Sequence, residues 1–125
     1  MRLSVLLILL ILNSAFGPDR MAEFFVDKPT HKFPSTREGI LLHHTFTVKN
    51  TGEVPLVVSN YEVACPCTKV TLPKPIAPGA TGELKVEFDT KGKYYQQDRK
   101  IILHTNTRKK TETLRFKVYV IPEGE

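Results

Sequence analysis

The chain has 125 residues, a net charge of +5, two cysteines and no tryptophan. That length supports one hydrophobic core and one domain. No stretch reaches the ~20 apolar residues of a membrane-spanning helix, which excludes a bundle of such helices.

The first element is "MRLSVLLILLILNSAFG", with Arg2 ahead of an apolar run from Val5 to Leu12 and small residues at Ala15 and Gly17. This is the layout of a secretory signal peptide over residues 1–17. Pro18 follows the cleavage point and is disfavoured there, so an uncleaved N-terminal anchor is the alternative and the only route to a membrane. No cysteine stands at the exit, which argues against a lipoprotein. Residues 18–125 then form a single domain, and loss of Arg2 lowers its charge to +4. Export places the protein in the periplasm, at the cell surface or outside, where a disulfide persists.

From Glu23 onward, short alternating runs are separated by Gly, Pro, Asn and Thr, with no sustained helical period. "AEFFVD" (22–27) predicts an edge strand closed by Pro29. "ILLHHTFTVKN" (40–50) predicts the longest strand, with Leu42, His44, Phe46 and Val48 on one face and His43, Thr45, Thr47 and Lys49 on the other. "NTGEVP" turns the chain through Gly52 and Pro55 into the strand "LVVSNYEV" (56–63). "PKPIAPGATG" (73–82) is too rich in proline for a central strand. "ELKVEFD" (83–89) alternates, with Leu84, Val86 and Phe88 inward. "KIILHTN" (100–106) turns through "TRKK" into "TLRFKVYVI" (113–121), with Leu114, Phe116, Val118 and Val120 inward. The pattern predicts an all-β fold, an immunoglobulin-like antiparallel β-sandwich of about seven strands. The expected clamp comprises Phe46, Val48, Leu84, Val86, Phe88, Phe116 and Val118, with the cysteines at its border.

The ordered motifs "FTVKNTGEVPLVV", "VACPCTKV", "PIAPGATGELKVEFDT" and "RKIILHTN" resemble the bacterial secreted domain of unknown function 1573. The resemblance runs from about Thr45 to Val120. It implies kinship with the wider immunoglobulin-like set that includes major sperm protein and cilia-associated modules, whose usual role is binding or scaffolding. It carries no settled biochemical activity. Pro66 stands where the family has Gly between its cysteines, which argues against a flexible hinge there, and Ala64 stands where Ser is common.

Cys65 and Cys67 are the candidate thiol pair. In an extended segment their Cα atoms lie ~6.6 Å apart, at the upper limit for a disulfide, so a bond needs a local bend. Four readings stand: two small buried thiols, a Cys65–Cys67 disulfide without a catalytic role, a redox-active pair or a cysteine that joins another protein, and a metal clip. Soft thiolates select copper or zinc, but zinc asks for four ligands. His43 and His44 face opposite sides of one strand, and His31 falls in an irregular N-terminal region.

Residues 91–117 hold nine basic side chains against Asp98 and Glu112. Arg108, Lys109 and Lys110 at the last hairpin, with Tyr94 and Tyr95, form the candidate contact for an anionic partner. Lysines guarding a sheet edge are the plainer explanation. Neither Ser35 nor Ser59 lies in a nucleophile elbow, and no H-E-x-x-H or phosphate loop occurs. No nucleic-acid motif is present. These features point to an exported, non-catalytic binding or scaffolding module. It would recognise a protein or an anionic envelope component through a sheet edge, end loops or the basic hairpin. No catalytic residue, metal site or cofactor is expected. The alternative is a thiol protein using Cys65-Pro66-Cys67 for redox or copper handling.

Overall fold

A computed structural model describes residues 20–125, so the signal-peptide reading of residues 1–17 lies outside the described residues. The described residues form β1 (Phe24–Phe25), β2 (Thr30–Lys32), β3 (Thr36–Arg37), β4 (Leu41–Asn50), β5 (Val58–Glu62), β6 (Thr68–Thr71), β7 (Thr81–Asp89), β8 (Tyr95–Thr105) and β9 (Thr111–Ile121). One sheet runs β1-β4-β7-β6; the other runs β2-β9-β8-β5, with β3 also on β9. This is the strand order of an immunoglobulin-like sandwich, with the N-terminal segment contributing to both layers.

The alternation expected for β4, β7 and β9 is what the structure contains. Phe46, Val48, Leu84, Val86, Phe88, Phe116 and Val118 are all buried. Leu56, Ile101, Leu103, Leu114 and Val120 complete the centre. The rings of Phe88 and Phe116 meet across the two layers at 5.0 Å. A buried Phe gains ~1.5–3 kcal/mol over an exposed one, so this clamp is the main source of stability.

The six strands read in chain order, within a fold expected to hold about seven, become nine because three short strands carry no periodic signal. β6 is only "TKVT", and β2 and β3 are "THK" and "TR". β2 and β3 lie parallel to β9, with Thr30 opposite Arg115 and Thr36 opposite Val120. Phe33, buried between them in sequence, anchors this segment on the second sheet by its edge-on contact with Phe116 at 5.9 Å. β8 also begins at Tyr95 rather than near Lys100. Its first half, "YQQDR", is polar even at inward positions, which hid it from pattern reading.

Most residues that carry the family resemblance maintain the fold. The Asn50 side chain, with no exposure, donates to the carbonyls of Val54 and Ile76 and accepts from the amides of Glu23 and Gly52. It ties the end of β4 to the N-terminal segment and to the proline-rich loop. Gly52 is required by crowding: a Cβ there would stand 2.2 Å from the Met21 carbonyl oxygen. Asn106 binds the amide of Val57 and the carbonyl of Pro55 in the same manner.

Candidate functional site

β5 pairs with β8 only from Val58 opposite Thr105 to Glu62 opposite Ile102. It then leaves its sheet and crosses to become β6 in the other. The crossing is made by Cys65-Pro66-Cys67. Pro66 presets φ for the second position of a tight turn, and the Thr68 amide closes that turn on the Cys65 carbonyl at 3.1 Å. The turn brings the two cysteine Cα atoms to 5.2 Å, and their sulfurs are joined. The reading as two buried thiols therefore fails: the cysteines are bonded and only half-buried. The bend supplied by Pro66 is the physical reason. The metal-clip reading loses both thiolates, and among the described residues no group of three His, Cys, Asp or Glu is placed to hold an ion.

Two consequences follow from the early departure of β5. Among the described residues, β8 has no strand on that side from Tyr95 to Ile101, an open edge of roughly 20 Å at ~3.3 Å per residue. The fork where β5 diverges holds a pocket of about 380 Å³, lined by Val63, Ala64, Cys65 and Thr68 on one wall and Arg99 and Ile102 on the other. Arg99 shares the inward face of β8 with Ile101 and Leu103, both fully buried. Its guanidinium sits 5.4 Å over the ring of Phe88 and donates from Nη2 to Gln97 Oε1 at 2.6 Å. Its Nε–H is shielded from solvent and, among the described residues, has no acceptor.

Tyr94, Tyr95, Arg108, Lys109 and Lys110 are not brought together. Tyr95 pairs with Val120 at one end of the β8–β9 hairpin, and Arg108–Lys110 form its turn at the other, ~30 Å away along the strands. Arg108 and Lys109 instead border a groove shared with Glu23, Glu53 and Glu112, which offset their charge. The Tyr95 hydroxyl donates to Glu125 Oε1 at 3.1 Å, and this bond raises its pKa.

The histidines separate as expected for β4 but not for the N-terminus. His43 lies outward, 3.9 Å from Glu87. His44 faces inward and stacks on His31, which lies on β2 rather than in an irregular stretch. Burial lowers the pKa of both, and His31 lowers that of His44 further. His104 is 3.2 Å from Glu62 on the outer face of the second sheet.

The family described as protein of unknown function (DUF1573) matches residues 24–120, from β1 to the last turn of alternation in β9. The chain belongs to this DUF1573 family. No curated protein matches it. In fold, the DUF1573 domain is similar to a protein of unknown function from Porphyromonas gingivalis, with a TM-score of 0.71 and 14% identity over 85% of this chain. It spans half the length of that Porphyromonas protein. It is also similar to the ASH / PapD-like domain 7 of human CEP192, with a TM-score of 0.57 and 11% identity, covering 86% of this chain and 90% of that one. A third similarity is to the Vibrio cholerae VesB protease, with a TM-score of 0.59 and 13% identity, over 78% of this chain and 31% of that one. At these identities the likeness is one of fold.

Cys67 packs against the core, at the border expected from the sequence. Arg99, which lines the pocket at the fork, is absent from the residues expected from the sequence. The available signal was a lone cation at an inward position of a strand whose next inward residue is Ile101.

Proposed function

We propose that the domain is an exported, non-catalytic binding module that captures an extended polypeptide segment by strand addition along Tyr95–Ile101 of β8. The observation that carries this reading is the open edge left where β5 departs. Unpaired backbone N–H and C=O groups of a sheet edge select another extended backbone, whatever its sequence. The pocket at the fork adds a place for a side chain or chain end, which main-chain pairing alone lacks. Export is supported by the pattern of residues 1–17 and by the bonded cysteines, which belong in an oxidising compartment. The hairpin tip supports recognition less well, because acidic side chains share its groove.

The test uses short extended peptides rich in Thr and Val, unmodified and N-methylated at alternate residues. Amide hydrogen exchange is read at Gln96–Ile101. Protection by the unmodified peptide, lost on N-methylation, is expected. Binding that ignores N-methylation, or protection confined to other strands, overturns the reading.

A second reading, thiol exchange at Cys65–Cys67, draws on the position of Cys65 in the same pocket. A three-residue ring gains little chain entropy, ~1.6 kcal/mol, so a partner thiol could open it. A pair that stays bonded in millimolar reduced glutathione would remove this reading.

A further inference from the structure

We infer that the pocket at the β5–β8 fork is a carboxylate site built on Arg99. It takes the acidic group of the captured segment, as a Glu or Asp side chain or as a chain terminus. The inference rests on the strand-addition reading for the identity of its ligand, but its chemistry stands on the pocket itself.

Arg99 is a cation turned toward the interior without an anion. Among the described residues no carboxylate forms an ion pair with it. The adjacent Asp98 points to the opposite face of β8, where it lies 3.7 Å from Arg115 and 3.9 Å from Lys117. Glu62 is likewise drawn outward by His104 at 3.2 Å. Among the described residues the one acceptor that Arg99 finds is the neutral amide of Gln97, and its Nε–H finds none. A partly desolvated guanidinium with spare donors is costly to hold. An entering carboxylate would supply the missing acceptor and the missing charge together. The planar guanidinium presents paired N–H groups that match a carboxylate in two-point contact.

The surroundings choose the ligand further. The Phe88 ring beneath the guanidinium fixes its plane by cation–π attraction. Val63, Ala64 and Cys65 form a wall suited to the methylenes of an acidic side chain. Besides Arg99, the charged lining is Glu62 and Asp98 against Lys100, a balance of one negative charge that disfavours a doubly charged phosphate monoester more than a single carboxylate. The disulfide has a role in this arrangement: it keeps the crossing turn compact, which keeps the wall of the fork in place.

The test follows the Arg99 Nε–H by NMR in the purified protein while sodium acetate, N-acetylglutamate, sodium phosphate or sodium chloride is added at constant ionic strength. A saturable shift with acetate and N-acetylglutamate, absent with chloride, is expected. Arg99→Gln should abolish carboxylate binding, with its fold checked by the same spectra, and Arg99→Lys should weaken it. In parallel, the extended peptides carry an interior Glu or Gln, or a free or amidated C-terminus. Loss of the acid in the arm that uses the pocket should weaken binding about tenfold in the wild type and not at all in Arg99→Gln, since a charged hydrogen bond is then lost only in the wild type. The arm that responds identifies the source of the carboxylate. No Arg99 response to any carboxylate, or a stronger response to phosphate, overturns the inference even where the β8 edge is protected. An Arg99 response without edge protection supports the carboxylate site and removes strand addition instead.

Discussion

The imidazoles of His31 and His44 lie face to face, their centroids 3.5 Å apart and their planes 10° from parallel. One comes from β2 in the second sheet and the other from β4 in the first, so the pair bridges the two layers. Phe33 and Phe46 close around it edge-on. Both imidazoles have pKa values lowered from 6.5, chiefly by burial. A His with a lowered pKa binds fewer protons folded than unfolded, so stability is lost as pH falls below about 6.5. The urea midpoint should therefore drop between pH 7.5 and pH 5.5. The double variant His31→Phe with His44→Phe should flatten that dependence. An unchanged slope in the variant would assign the effect to other groups.

Asn50 offers the sharpest stability test. Asn50→Ala removes a buried side chain serving two carbonyls and two amides. Each buried group left without a partner costs ~1–3 kcal/mol. We expect a loss of about 3 kcal/mol or more in denaturant unfolding. A loss under about 1 kcal/mol would mean that the surrounding loops find other partners.

Gly52→Ala should act locally. The added methyl meets the Met21 carbonyl, so the N-terminal segment must move off. Residues 20–26 should gain protease sensitivity and lose the Ala22–Thr107 bridge, while β4 and β7 keep their amide protection. Uniform loss of protection across both sheets would contradict this.

The double substitution Cys65→Ser with Cys67→Ser should leave the fold intact. For so short a ring the chain-entropy contribution is ~1.6 kcal/mol, or several degrees in Tm for a domain of this size. Thermal unfolding by circular dichroism measures it. A collapse of the folded state would show that the crossing turn depends on the bond far more than its ring size implies.

The clamp of Phe46, Val48, Leu84, Val86, Phe88, Phe116 and Val118 was legible because period-2 alternation and burial are the same fact seen twice. β2, β3 and the first half of β8 were not, because their form is imposed by β9 and not by their own side chains. "THK" carries no alternation that a reader could use, yet it pairs with Arg115–Lys117 throughout. The cysteine bond was legible as a possibility and decided by a turn that Pro66 made available. Joining Tyr95 to Arg108–Lys110 failed because nearness in sequence across a hairpin strand is distance in space. The setting of Arg99 depends on β5 stopping at Glu62, which no local pattern encodes.

β9 carries β2 and β3 along its outer side, from Thr30 to Arg37. On that side, over Arg115–Lys117 and Val120–Ile121, an incoming strand would first have to displace the domain's own N-terminal residues. The layer therefore offers its two flanks unequally: one is partly occupied from within the chain, and the other, among the described residues, is bare along Tyr95–Ile101.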